Sequence, residues 1–126
     1  MKIKESAENY LETIFMLSKQ KKYVRSIDIA NELNFSKASV SVAMKSFREE
    51  NYITINDDGG ISLTDKGLSI AEKMYERHDI IARALMLLGV SEQNAYMDSC
   101  KIEHDISEES FEKIKEFMQN QEKASI

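Results

Sequence analysis

Between Tyr52 and Leu63 the hydrophobic rhythm of this chain changes, and that break constrains the fold more than any other feature. Tyr52-Ile53-Thr54-Ile55 and Ile61-Ser62-Leu63 are short β-prone runs around Asn56-Asp57-Asp58-Gly59-Gly60, which predicts a two-stranded hairpin. Elsewhere apolar residues recur at three- and four-residue steps, the signature of amphipathic helices. Ala7, Tyr10, Leu11, Ile14 and Phe15 mark a first helix from about Lys4 to Lys19. Ser26 is the expected cap of a short helix, Ile27 to Leu33, and Ser36 of a third, Lys37 to about Asn51, lined by Val40, Ala43, Met44 and Phe47. After the hairpin, Thr64 is placed to cap a long helix carrying Leu68, Ala71, Met74, Ile81, Leu85 and Leu88, with Gly89 as its stop. Ser91 opens a fifth helix to about Asp105. Ser107 opens a sixth, with Phe111, Ile114, Phe117 and Met118 on one side, and from Gln119 the polar chain is expected to fray. The lack of proline and the presence of only four glycines among 126 residues suit long helices and argue against a strand-rich sandwich.

Three helices followed directly by a hairpin make a winged helix-turn-helix. The expected fold class is mainly α: an N-terminal winged helix-turn-helix with a two-stranded wing over residues 1–70, then a helical domain over 71–126. The third helix is its DNA-reading element. Its exposed positions are Ser36, Lys37, Ala38, Ser39, Ser41, Val42, Lys45 and Arg48. Small residues near its start would let the backbone sit deep in a major groove, and Ala38 and Val42 would touch thymine methyls. Ser36, Ser39 and Ser41, with the amides of the helix start, suit phosphate oxygens. Lys37, Lys45 and Arg48, together with Arg25 in the preceding basic stretch, would supply charge and salt dependence. The net charge of −5 argues against such a partner only on the surface. From Lys19 to Glu50 there are seven basic residues against four acidic ones; from Asp79 onward there are five against ten. Separation of this kind lets one region approach phosphate while the other faces away.

The residues that carry chemistry lie mostly outside the reading head. Cys100, Glu103 and His104 stand at i, i+3 and i+4 on the fifth helix and project from one face. A thiolate, a carboxylate and an imidazole converging on one patch is what a borderline-soft divalent transition metal needs. His78 falls in the apolar seam of the long helix, and Asn9 and Glu12 are i, i+3 neighbours on the first. Taken singly, His78 reads as a hydrogen-bonded core histidine and Cys100 as a small buried hydrophobe. Glu12, Glu103 and Asn9 read singly as surface groups. Only their grouping, which includes both histidines of the chain, argues for a site.

These motifs resemble the diphtheria toxin repressor and manganese transport regulator family of metal-dependent bacterial repressors. The similarity runs from Ala7-Glu8-Asn9-Tyr10-Leu11-Glu12-Thr13-Ile14 through Leu63-Thr64-Asp65-Lys66-Gly67, Arg77-His78 and Leu88-Gly89-Val90 to Cys100-Lys101-Ile102-Glu103-His104. The resemblance implies a homodimer that binds double-stranded operator DNA when metal-loaded and represses metal-uptake genes. It makes 71–126 the metal-binding and dimerisation domain and puts the ligands at Asn9, Glu12, His78, Cys100, Glu103 and His104. Manganese sensors of the family carry aspartate at the position of Asn9 and glutamate at that of Cys100; iron sensors share the cysteine but have methionine in place of Asn9. All-oxygen sets suit Mn²⁺, whereas thiolate and imidazole favour metals later in the divalent series. Fe²⁺ is therefore the expected cation, with Mn²⁺ second and Zn²⁺ or Co²⁺ as binders in vitro. The alternatives are a metal-independent winged-helix repressor, a purely structural dimer module, and a small metal hydrolase using Glu103 as base. The last leaves the reading head unexplained, so no enzymatic activity is expected. The single cysteine excludes an internal disulfide and, with no apolar run of about 20 residues, points to the cytoplasm rather than a membrane.

Overall fold

The computed structural model describes residues 5–124. Its elements are α1 (Glu5–Gln20), α2 (Ser26–Leu33), α3 (Lys37–Glu49), β1 (Ile53–Ile55), β2 (Ile61–Leu63), α4 (Asp65–Leu87), α5 (Glu92–Asp105) and α6 (Glu108–Ala124). Lys4, the expected start of the first helix, lies outside the described residues. The chain divides into two compact units, Met1–Glu72 and Lys73–Ile126, with the division falling inside α4.

The first unit is a winged helix-turn-helix. Leu11, Ile14, Ile29, Val40, Met44 and Ile53 are almost wholly buried in one apolar cluster to which α1, α2, α3 and the sheet all contribute. The α2–α3 turn is tight because Asn34 takes a left-handed conformation, φ 57°, and the Phe35 amide donates to the Ala30 carbonyl. β1 and β2 pair antiparallel, Ile53 opposite Leu63 and Ile55 opposite Ile61, and the side chain of Asn56 folds back to accept from the Gly60 amide. Val24 adds an antiparallel bridge to Ile61. The start of α4 is pressed onto this sheet. The Thr64 hydroxyl donates to the Asn51 and Tyr52 carbonyls and accepts from the Gly67 amide. A Cβ at residue 67 would lie 2.1 Å from the Tyr52 carbonyl oxygen, so only glycine fits there.

The second unit holds the remainder of α4 with α5 and α6. Its apolar cluster is smaller: Ile80, Ile81, Phe111 and Met118, with Leu85, Ile102 and Ile114 packed against them. Beside it lie buried polar side chains, Arg77, Ser99 and Glu103.

Several boundaries differ from those read in the sequence, each for a local reason. α2 begins at Ser26 with Arg25 in the capping position; the Asp28 carboxylate accepts the Arg25 amide at 3.0 Å, replacing the cap expected from the Ser26 hydroxyl. α3 stops at Glu49, because Asn51 turns left-handed at φ 67° to enter the hairpin. Leu88 follows the end of α4 and is 81% exposed, and Phe117 is 53% exposed, so neither is core. α6 continues helical to Ala124 past the point of expected fraying. Met118 is buried in its last turns, and Glu122 pairs with Arg83 of α4.

Candidate metal centre and nucleic-acid interface

Within the first unit, Ser36, Lys37, Ala38, Ser39, Ser41, Val42, Lys45 and Arg48 are all exposed on α3. Val42 is 71% exposed, an isolated branched apolar side chain on an otherwise polar face. The Ser36 hydroxyl accepts from the Ser39 amide at 3.1 Å and donates to the Ser39 hydroxyl at 2.8 Å. It is committed to capping, whereas Ser39 keeps its own proton to donate to an anion. Arg25 is exposed and stands 3.9 Å from Asp58 at the wing turn. Asp57 and Asp58 make that turn acidic, so the positive charge of this face comes from α3 and the segment before α2.

Asn9 and Glu12 lie one turn apart on α1; Asn9 is half-buried and Glu12 buried.

The second unit gathers the other four candidate ligands from two helices. Within α5, Cys100, Glu103 and His104 occupy one face, as their spacing requires, and α4 presents His78 to it. The Nδ1 atom of His78 is 3.1 Å from Oε2 of Glu103, 3.1 Å from Oγ of Ser99 and 3.5 Å from Sγ of Cys100. A ring nitrogen carries one proton or one lone pair and cannot serve three partners. On the far side of the same carboxylate, His104 Nε2 lies 3.3 Å from Glu103 Oε1, both side chains almost wholly buried. Oε1 is a buried acceptor with no hydrogen-bond partner. Leaving a buried carboxylate oxygen unsatisfied is costly. Two ligands bonded to one cation at about 2.0–2.3 Å in a tetrahedral array stand roughly 3.3–3.8 Å apart. His78 Nδ1, with Glu103 Oε2 at 3.1 Å and Cys100 Sγ at 3.5 Å, thus stands close to the spacing of ligands that share a cation, and the nitrogen, oxygen and sulfur donors suit one chemically.

The Cys100 thiol, and then the Glu103 carboxylate, push the His78 imidazole up from 6.5 to about 10, against the opposing effect of burial. Without a cation His78 is therefore a proton-bound group at neutral pH. A metal ion bound there would compete with that proton for the same nitrogen.

Two features of the site were not legible in its sequence. Ser99 is fully buried and bridges the Tyr96 carbonyl to His78, and the Tyr96 ring lies 5.5 Å from that of His78. Arg77 is buried and donates from Nη1 to the carbonyls of Glu103 and Ile106. Ser99 falls four residues before Glu103, a spacing that marks a shared face but carries no signal of burial. Arg77 belongs to the Arg77-His78 pair through which the resemblance runs, but no spacing in the sequence signals its burial or its partners.

A winged helix-turn-helix joined to a unit that offers nitrogen, oxygen and sulfur donors defines a metal-dependent transcriptional regulator. Comparison with known sequences narrows this. Residues 2–61 match the profile described as iron dependent repressor, N-terminal DNA binding domain, and residues 64–124 that of the iron dependent repressor, metal binding and dimerisation domain. The HTH-type transcriptional regulator MntR of Geobacillus kaustophilus is 34% identical over 114 residues, 90% of this chain and 81% of that one. Its namesake in Bacillus subtilis is 33% identical over the same length, 80% of its own chain. The chain belongs to the diphtheria toxin repressor and manganese transport regulator family. Among solved structures, the manganese regulator SloR superposes with a TM-score of 0.78 at 26% identity over 90% of this chain. This chain spans about half of SloR, 53%. The metal-dependent transcriptional regulator MtsR, TM-score 0.82 at 23% identity, shares the fold. Among the described residues no helix is long and apolar enough to cross a membrane.

Proposed function

We propose that this regulator is a metal-gated repressor that binds operator DNA as a homodimer and controls genes of metal uptake. The observation that carries this reading is the buried Glu103 carboxylate, one oxygen against the crowded His78 nitrogen and the other without a hydrogen bond. His78, Cys100, Glu103 and His104 are the proposed ligands from the second unit, and Asn9 and Glu12 those from α1. A cation held by these residues would supply a common acceptor for their lone pairs; Glu103 would offer it the oxygen that has no hydrogen bond, and His78 would have to release its proton to do the same. By joining donors of α1 to donors of α4 and α5, the ligand set restricts how the two reading heads of a dimer are held. Both can then enter successive major grooves about 34 Å apart. Linkage requires DNA to tighten metal binding by the factor by which metal tightens DNA binding.

On the reading head, Lys37, Lys45 and Arg25 neutralise phosphate, Ser39 and Ser41 donate to phosphate oxygens, and Ala38 and Val42 meet base edges. Ser36 contributes through the helix-start amides that it orders. The dimer reading is supported by Leu87, Leu88 and Phe117, which are half or more exposed and line one apolar groove with Ala84 and Ile114. Expectation and comparison part company over the metal. The thiol and Asn9 favour Fe²⁺, yet the relatives do not support putting it first, since SloR is a manganese regulator. We therefore rank Mn²⁺ ahead of Fe²⁺, with availability rather than affinity deciding occupancy in the cell. No catalytic step is proposed.

The test is a fluorescence anisotropy titration of promoter DNA under anaerobic conditions, with chelator, Mn²⁺, Fe²⁺ or Zn²⁺. The expected result is tight binding with metal and weak binding with chelator, and loss of the difference in His104→Ala. Full affinity in chelator would select a metal-independent repressor instead.

A further inference from the structure

Arg77 immediately precedes His78 on α4, and where His78 meets the side chain of Glu103, Arg77 meets its backbone. Its guanidinium is buried, and Nη1 donates at 3.0 Å to the Glu103 carbonyl and at 3.1 Å to the Ile106 carbonyl. These are carbonyls of the last turn and cap of α5, where a helix leaves its acceptors unpaired and presents the negative end of its dipole. Nη2 donates at 2.9 Å to Glu108 in the first turn of α6, a carboxylate also held by Lys73 at 2.9 Å. The guanidinium carbon lies 5.2 Å from the centre of the Phe111 ring. A single planar group thus joins the end of α5, the start of α6 and the helix that carries His78.

We propose that Arg77 is the positioning residue of the metal centre, holding the backbone of Glu103 at the distance from α4 at which the Glu103 and Cys100 side chains reach His78. This inference rests on the metal-site reading above. Arg77 touches none of the donor atoms. It acts on the carbonyl of the residue whose carboxylate is the central ligand, so a shift of that peptide moves the donor. Lysine cannot replace it: an ammonium on a flexible stem lacks the rigid fork that serves two carbonyls and a carboxylate together. Groups that orient ligands typically matter about 10- to 100-fold in metal affinity.

The test uses the intact protein and Co²⁺ alone. Titration is followed by the thiolate-to-cobalt absorption and the d–d bands, which report ligand identity and geometry, beside thermal melts of the metal-free protein. In Arg77→Lys the Co²⁺ affinity should fall by about tenfold or more, with displaced d–d bands, while the metal-free protein still melts cooperatively. Identical affinity and bands would overturn the proposal. If Arg77→Lys does not fold, Glu108→Gln decides. It weakens the outer anchor that the guanidinium shares with Lys73, leaving the Arg77 side chain itself in place, and should weaken Co²⁺ binding about two- to threefold; no change would overturn the role of Arg77. His78→Ala is the separate control. If the wild-type protein takes up no Co²⁺, or His78→Ala binds it as tightly, the metal-site reading fails. If both behave as expected and Arg77→Lys matches wild type, only the inference about Arg77 falls.

Discussion

The two units of this chain are stabilised in different ways. The first closes around aliphatic and aromatic side chains: Tyr10 packs edge-on against Phe35 and Phe47, and Leu11, Ile29 and Val40 are sealed beneath. The second sets a smaller apolar cluster beside a charged one, with Arg77, Ser99 and Glu103 buried and His78 crowded among them. An apolar core is satisfied by its own contacts. A buried polar network is favourable only when every member has a partner, and Glu103 Oε1 has no hydrogen bond. The comparison teaches that the first unit is satisfied by its own contacts, whereas the second keeps a buried acceptor without a hydrogen bond.

The sharpest way to break this comparison is to damage the first unit and ask whether metal repairs it. Leu11→Ala should cost about 2–5 kcal/mol by denaturant melts, equally in chelator and in Mn²⁺. Rescue by the metal would show that the first unit's own contacts are not enough. Next in size is the response of the second unit. Mn²⁺ at about 100 times its dissociation constant should stabilise the wild-type protein by about 2.7 kcal/mol, and Glu103→Gln should abolish the gain. An undiminished gain would remove Glu103 from the ligand set.

The third test uses protons. Because the partners of His78 raise it to about 10, its contribution to metal-free stability is complete below pH 6.5 and is lost as pH rises through about 10. Metal binding must release that proton, so isothermal titration should show affinity rising about tenfold per pH unit between pH 7 and 9. A flat profile would mean that Nδ1 is not a ligand. Further down, Lys45→Ala should weaken DNA binding on every sequence alike and lower the salt slope by about one, without altering metal affinity. The smallest effect belongs to Ser36→Ala, about 1 kcal/mol of stability through the lost cap, again confined to the first unit.

The same contrast explains what could be read from the sequence. The helices of both units are legible because periodicity and caps reflect burial directly: the Val40, Met44 and Phe47 stripe and the Ser36 cap of the reading head, and the caps at Ser91 and Ser107 of the second unit, stand where spacing puts them. Errors arose where a local rule met a tertiary one. Leu88 has the right phase for a seam, but the helix ends before it; Phe117 shares a side with Met118, yet only the latter turns inward. At the site, spacing on α5 was enough to group Cys100, Glu103 and His104, because one helix fixes it. Arg77 and Ser99 were not legible, since their roles depend on which backbone groups of another element end nearby, and periodicity carries no information about that.

The glycine pressed against the Tyr52 carbonyl has one more consequence. Because even a methyl group is too large at position 67, the wing is riveted at its base, and any yielding toward a DNA groove must come from the loop at its tip.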